Sequence, residues 1–218
     1  ANWPPTSYDP ERQLLFVCAS ERVYFYEVNP EETDNPPSGQ RYMGGRFGGA
    51  SSIRPSGVFA AMDTTTNTVA WWQRWQDRCY SGSIATGGGI LFVGRSDGRL
   101  MALESDTGNA LWEFQTGAGA NATAATFVYE GEQYVAILSA GNVFAGSPRG
   151  DSVWLFSLNG TLDPVLPSQL DTANVIGPPI GTPNIESGAA LYAQACVACH
   201  GEDGQAGHVG PPIPPGLG

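Results

Sequence analysis

The chain has 218 residues, only 14% of them charged, and it is rich in glycine (29) and proline (17), a composition typical of turn-rich β proteins rather than helical bundles. Its net charge of -11 and pI of about 4.4 argue against nucleic acid and against an anionic membrane surface as partners. No run of about 18 apolar residues occurs, so the sequence predicts no membrane span.

The first elements in chain order are two short strands within residues 13–27. Apolar, β-branched and aromatic residues dominate on both sides of a predicted break at residues 19–21. Residues 29–57 contain Pro, Gly, Ser and charged residues without periodicity, which predicts a long inserted loop. The chain opens at Ala1 without an initiator Met or a signal peptide, so we expect a processed chain or part of a longer one.

An internal repeat follows, at residues 61–71 and again at residues 102–112. The copies share an Ala, an acidic residue, a Thr, a turn residue (Asn67 or Gly108) and a Trp. Each copy predicts a strand, a turn that tolerates positive φ, and a second strand led by Trp. A spacing of about 40 residues is the length of one four-stranded β-propeller blade, in which the Trp fills the wedge between neighbouring blades.

Further short apolar strands are predicted around and after the repeat, with a hairpin turn at Asp97-Gly98. They lie at residues 90–93, 99–102, 125–129, 133–138 and 152–158. In total we expect roughly eleven strands, or about three blades. A propeller needs roughly four to eight blades to close, so the predicted ring requires further blades upstream.

The last part of the chain differs in composition from the predicted propeller. Residues 159–187 are rich in Pro and Gly and predict a linker, and residues 188–195 have helical character. We therefore divide the chain into propeller blades at 1–158, a linker at 159–187, and a second domain at 188–218.

The strongest chemical signal is the motif Cys196-Val-Ala-Cys199-His200. Two thiols three positions apart form thioethers with the two vinyl groups of one haem, and the following His binds the iron. Zinc is an alternative, but its four ligands would need His208 beside the motif, without a second paired spacing. A thioredoxin-like redox site would need a surrounding βαβ pattern, which is missing from the sequence.

The two remaining cysteines, Cys18 and Cys79, are far apart in the sequence. Haem attachment of the c type occurs outside the cytoplasm, where thiols also oxidise, so we expect a periplasmic or otherwise extracytoplasmic bacterial protein. A disulfide between Cys18 and Cys79 and two small buried side chains both remain open.

These features together resemble the quinohaemoprotein alcohol dehydrogenases, which are PQQ-dependent dehydrogenases with a C-terminal cytochrome c domain. The repeat is similar to the Ala-x-Asp-x-x-Thr-Gly-x-x-x-Trp docking motif of their blades, and residues 81–98 and 132–136 resemble their later blades. The resemblance covers almost the whole chain but only the later part of a family member. It implies an all-β partial β-propeller, about three blades of an eight-bladed PQQ-dehydrogenase-type propeller, followed by a truncated α-helical class I cytochrome c segment.

The resemblance also implies roles for individual residues near the start of the chain. Asn2 would hydrogen-bond the polar edge of PQQ, and Trp3 would form part of the wall of its pocket. The family's calcium ligands, catalytic aspartate and vicinal disulfide belong to earlier blades, and nothing here matches them. We therefore predict no catalytic residue in this chain and expect that it does not oxidise alcohols by itself.

In the cytochrome segment the resemblance makes Cys196 and Cys199 the thioether anchors of haem c and His200 the proximal iron ligand. Pro211 would offer its carbonyl to the second ring nitrogen of His200. No Met follows His200, so the usual distal ligand is missing from the sequence. Residues 188–218 are too few to enclose a haem by themselves, and we expect one helix through the motif followed by coil.

The function implied by the resemblance is oxidation of a small alcohol by PQQ, with Ca²⁺, and transfer of the electrons to haem c. The partners implied are the missing N-terminal blades and a downstream electron acceptor such as a cytochrome or an oxidase. The alternative is a non-catalytic electron-transfer or binding propeller that carries a cytochrome c domain.

Overall fold

The computed structural model describes residues 4–28, 44–49, 53–167, 182 and 184–204. Within these ranges the chain forms thirteen strands and two short helices. It divides into two compact units, Ala1–Asp171 and Thr172–Gly218. The division falls inside the segment 159–187 that the composition predicts as a linker.

The first sheet is antiparallel, and its strands follow one another in the order β1-β2-β5-β6. In β2 and β5 every second side chain is buried, which is the period expected for a strand packed on one face. The strands are β1 (Ser7–Asp9), β2 (Leu14–Glu21), β5 (Ser56–Asp63) and β6 (Thr68–Trp75).

A separate hairpin is inserted between β2 and β5. It consists of β3 (Tyr24–Val28) paired with β4 (Gly45–Gly49). The prediction of an unbroken loop over residues 29–57 was therefore wrong at β4, whose Gly-Arg-Phe-Gly-Gly sequence shows no alternation. The predicted break at residues 19–21 was also wrong, because β2 stays paired with β5 through Glu21.

The second and third sheets repeat the arrangement of the first sheet. The expected hairpin turn joins β8 to β9, with Gly98 at a φ of 97°. The second sheet contains β7 (Ser83–Ala85), β8 (Ile90–Gly94), β9 (Arg99–Glu104) and β10 (Ala110–Gln115). The third contains β11 (Ala125–Tyr129), β12 (Glu132–Ser139) and β13 (Ser152–Phe156).

Two four-stranded sheets and one three-stranded sheet, each an antiparallel meander, confirm the predicted partial β-propeller of about three blades. The sheets pack through two apolar clusters. Phe16 and Phe59 of the first sheet are fully buried against Leu91 and Leu103 of the second. Leu100 and Ile137 are central to the other cluster, between the second and third sheets. Burial of each such side chain stabilises the fold by about 1.5–3 kcal/mol.

The second unit contains the helices α1 (Ile185–Ala195) and α2 (Val197–His200). The predicted helix is confirmed, but it begins three residues earlier because Asn184 caps it, accepting a hydrogen bond from the Ser187 N–H at 2.9 Å. The expectation of one helix through the haem motif needs correction. The regular helix is interrupted at Cys196, whose φ of -110° departs from the helical value.

Candidate functional site

Trp71 joins the two copies of the sequence repeat. Its indole Nε1–H donates to the carbonyl of Ser105 at 2.9 Å, and its ring lies against Gly108. Gln73 donates from its side-chain amide to the Gly108 carbonyl. On its other sides the ring contacts Phe16 and Phe59, with centroids 6.0 and 5.9 Å away. The Trp of one repeat thus fills the wedge beside the turn of the next repeat.

The acidic residue of each repeat fixes this turn by accepting hydrogen bonds from the residues that follow it. In the first copy Thr66, which matches Thr107 of the second, donates its N–H to Asp63 at 3.2 Å. The neighbouring Thr65 adds two bonds to the Asp63 carboxylate, from its hydroxyl at 2.6 Å and from its N–H at 2.7 Å. These bonds, led by the one from the hydroxyl, lower the pKa of Asp63. In the second copy Glu104 accepts from the Thr107 hydroxyl at 2.5 Å. Asn67 has a positive φ of 57°, as the turn chemistry predicts.

Arg12 forms a second link between the first two sheets. Its guanidinium donates to Asp9 at 3.0 Å and to Asp106 at 3.1 Å, and Asp106 lies within the second repeat. Asp9 is buried, and burial by itself raises its pKa. The hydrogen bonds from the main chain and side chain of Arg12 and from the Glu11 N–H outweigh burial, so the pKa of Asp9 is lowered.

The edge strands β1 and β7 meet through two hydroxyl groups, Ser7 Oγ and Ser83 Oγ, which are 2.7 Å apart. Asn2 and Trp3, predicted to border the quinone, lie outside the described residues. In the described part of the chain no group of three or more His, Cys, Asp or Glu side chains is arranged to hold a metal ion.

The predicted haem-attachment residues lie on one helical turn. The His200 N–H donates to the Cys196 carbonyl at 2.9 Å, and Cys199 lies between them in α2. Cys196 is a half-buried free thiol, and His200 is also half-buried. His208, needed for the zinc alternative, and Pro211 lie outside the described residues.

Tyr192 holds this turn at both ends, a contact that the sequence analysis did not identify. Its carbonyl accepts from the Cys196 N–H at 2.8 Å, and its hydroxyl donates to the Gly201 carbonyl at 2.6 Å. Gly201 has a φ of 79°, so the backbone leaves the helix immediately after His200. The only indication in the sequence is an aromatic residue one turn before the motif.

The donor chemistry of this turn fits a c-type haem. Cys196 is not in a disulfide, and it precedes Cys199 by three positions, the spacing that two vinyl thioethers require. His200 follows directly and carries an imidazole that binds haem iron. The residue types of this turn are thus those that two thioether attachments and one axial ligand would require.

Cys18 and Cys79 form a disulfide with a Cα–Cα distance of 5.3 Å, which resolves the alternatives that the sequence left open. The bond ties β2 to the segment that follows β6. Beside it, the Ser20 hydroxyl donates to the Cys79 carbonyl at 2.9 Å. Both cysteines are also buried, as the alternative interpretation of two small buried side chains expected, but they are bonded to each other.

Neither described helix is long and apolar enough to cross a membrane.

Two family models match the chain. The model described as glucose/ethanol/alcohol dehydrogenase, beta-propeller domain, matches residues 52–135. The cytochrome c model matches residues 185–217, which include the haem motif.

Curated relatives extend the similarity over nearly the whole chain. The quinohemoprotein alcohol dehydrogenase ADH-IIG of Pseudomonas putida is 32% identical over 97% of this chain and 33% of its own length. A quinohemoprotein alcohol dehydrogenase of Comamonas testosteroni is 29% identical over 93% of this chain and 31% of its own length.

Solved structures agree with the sequence relatives. The ADHIIG structure from Pseudomonas putida matches 96% of this chain and 34% of that chain, with a TM-score of 0.69 and 30% identity. The Comamonas testosteroni enzyme matches with a TM-score of 0.59 and 27% identity, over 96% of this chain and 33% of that one. The chain thus spans about a third of the length of these relatives.

Proposed function

Because this chain belongs to the quinohaemoprotein alcohol dehydrogenase family, we propose that it is the later part of an enzyme that oxidises a small alcohol with PQQ and passes the electrons to haem c. The observation that carries this proposal is the combination of two features in one chain. The Trp71–Gly108 contact joins propeller blades, and the Cys196–His200 turn presents haem attachment positions.

In this proposal Cys196 and Cys199 form the thioether bonds to haem c, and His200 is the proximal ligand. Asn2 and Trp3 border the quinone. When bound, PQQ takes two electrons and two protons from the alcohol, and the haem carries the electrons onward singly. The calcium ion that would accompany PQQ belongs with ligands outside this chain, as does the catalytic base.

The partners proposed for the whole protein are additional propeller blades and a downstream electron acceptor, such as a cytochrome or an oxidase. Large apolar side chains that remain exposed on β6 and β3 support the need for further blades. Trp72 is 61% exposed and Tyr26 is 80% exposed. A periplasmic location is proposed because the Cys18–Cys79 disulfide and thioether-bound haem both suit an oxidising compartment.

The haem assignment is tested by producing the full-length protein in a host that attaches c-type haem. We expect a haem that stays with the polypeptide under denaturing conditions and gives the pyridine haemochrome spectrum of two thioethers. Cys196→Ala should shift that spectrum to the single-thioether form, whereas Gln194→Ala, an exposed change two residues earlier in α1, should not. A spectrum unchanged by Cys196→Ala would contradict the assignment.

The enzymatic assignment is tested separately by reconstituting the full-length protein with PQQ and Ca²⁺. We expect the haem to become reduced when an alcohol is added, and the absorbance of the haem measures this reduction. A protein that holds haem but neither binds PQQ nor reduces its haem with any alcohol would favour the alternative, a non-catalytic propeller carrying a cytochrome. The isolated chain, which lacks matches to the catalytic residues, is expected to be inactive.

A further inference from the structure

The positive charges of the chain are unevenly placed. All ten basic residues are arginines, and four of these line one cleft of about 480 Å³ in the first compact unit. The cleft lies where the ends of β6 and β8 approach the starts of β5 and β9. Its arginines are Arg54, Arg74, Arg95 and Arg99. In a chain with a net charge of -11, this concentration of guanidinium groups needs an explanation.

Arg95 is the most buried of the four, with a side chain only 10% exposed. Its terminal nitrogen contacts Asp77 and lies 3.4 Å from Asp97. The guanidinium is stacked over Trp75, 4.7 Å from the ring centroid. Its Nε is buried and has no hydrogen-bond partner among the residues that the structure describes. A buried donor without an acceptor is unfavourable, so this nitrogen favours a ligand that accepts a hydrogen bond.

The other charges around the cleft are mostly paired. Arg74 pairs with Glu21 at 2.5 Å, and Arg99 pairs with Asp97 at 2.7 Å and with Glu113 at 2.8 Å. These three acidic groups more than offset the charge of the two paired arginines.

Arg54 differs from the other three arginines because it is exposed and has no hydrogen-bond or ion-pair partner among the described residues. The cleft therefore offers one exposed set of unused donors, the whole guanidinium of Arg54, beside the buried and unpartnered Nε of Arg95. The indole of Trp75 already stacks with Arg95 and with Phe59, whose ring centroid is 5.4 Å away. A ligand would therefore be recognised by its charge and its acceptor oxygens, since the indole is already stacked with Arg95 and Phe59.

We propose that this cleft binds a small oxyanion, a carboxylate or a phosphate group, which accepts hydrogen bonds from Arg54 and from Arg95 Nε. Guanidinium groups suit this role because their planar array of N–H donors matches the oxygens of both anions. The site contains none of the residues assigned to haem or quinone and lies beyond the proposed function. Asp77 and Asp97 limit the affinity and hold Arg95 in place.

The test measures binding to the full-length protein with its cofactors, at low ionic strength, by calorimetry with inorganic phosphate and separately with succinate. We expect one phosphate or one succinate per chain, with the tighter ligand identifying the anion class. Arg54→Gln should weaken binding roughly tenfold, as loss of a charge-assisted hydrogen bond does. Arg149→Gln, at an exposed arginine outside the cleft, should leave the affinity unchanged.

Arg95→Gln should abolish binding, but it also breaks the contact with Asp77 and can impair folding. Arg54→Gln keeps the proposal testable in that event, because Arg54 is exposed and makes no ion pair with a described residue. Absence of binding by both anions would overturn the proposal. Equal affinities of the wild-type and Arg54→Gln proteins would also overturn it, because they would indicate an adventitious ion only.

Discussion

The indole of Trp71 lies so close to Gly108 that a Cβ atom at position 108 would be 2.7 Å from the ring. The same glycine has a φ of 75°, which L side chains rarely adopt. This turn therefore requires glycine for two reasons. The backbone is in the left-handed region, and the neighbouring ring leaves no space for a Cβ atom. Because Trp71 belongs to the first sheet and Gly108 to the second, this contact fixes the spacing between two blades.

Gly108→Ala is expected to destabilise the propeller unit by about 2–4 kcal/mol, because strain of the left-handed backbone adds to overpacking against the ring. Urea unfolding of the two proteins measures the difference. Gly131→Ala is a matched control, since Gly131 has a φ of 82° but a Cβ added there would meet no atom within 4 Å. It should cost only the backbone strain, about 1–2 kcal/mol. Equal losses for the two variants would show that the indole accommodates a methyl group.

Trp71→Phe tests the hydrogen bond from the indole to Ser105. The substitution removes Nε1 and leaves the Ser105 carbonyl without this donor, and Ser105 is fully buried. We expect a loss of about 1–3 kcal/mol in the free energy of unfolding. Trp72→Phe, at a neighbouring tryptophan that is 61% exposed, should change it by less than about 0.5 kcal/mol. A similar effect of the two substitutions would contradict the docking role of Trp71.

The Cys18–Cys79 disulfide closes a loop with a sequence separation of 61 residues. By the loop-entropy relation, reduction should lower the free energy of unfolding by roughly 4 kcal/mol. The measurement is urea unfolding with and without a reductant. A Cys18→Ala/Cys79→Ala double variant should unfold identically in both conditions. If reductant destabilises that variant as much as the wild type, the effect does not come from this bond.

The sequence was most informative where local chemistry determines structure. The repeat was recognised because Asp63, Thr66 and Asn67 form their turn within a few residues, and the haem motif is similarly local. Strand β4 was not predicted because its glycine-rich sequence becomes a strand only by pairing with β3. The arginine cleft could not be predicted either, since its residues come from separate segments that meet only after the blades pack.

The buried carboxylate of Asp9 should make stability depend on pH. Its pKa in the folded protein is below the ordinary value of 3.8, so the unfolded chain binds the proton more readily. The stabilisation is therefore complete above that ordinary value and is lost as the pH falls through the lower folded pKa. Urea unfolding at pH 6 and at pH 3 should show a smaller decline for Asp9→Asn than for wild type. Asp151→Asn, at an exposed position, should decline as the wild type does.

Tyr192→Phe should loosen the turn that carries the haem motif without changing the motif itself. The hydroxyl of Tyr192 donates to the Gly201 carbonyl at 2.6 Å, so its removal frees the residue that follows His200. The N–H groups of His200 and Gly201 are bonded to the carbonyls of Cys196 and Val197. Loss of about 1 kcal/mol of local stability should speed their hydrogen exchange roughly fivefold.

The Tyr192 variant is tested by measuring amide hydrogen exchange in the full-length protein, with NMR or mass spectrometry as the detection method. Tyr129→Phe is the control, because Tyr129 is 60% exposed in strand β11 of the other compact unit. It should leave exchange at His200 and Gly201 unchanged. Equal protection in the Tyr192→Phe and wild-type proteins would mean that the helical hydrogen bonds alone hold the turn. Faster exchange confined to the Tyr192 variant would instead make this tyrosine the residue that fixes the backbone on both sides of His200.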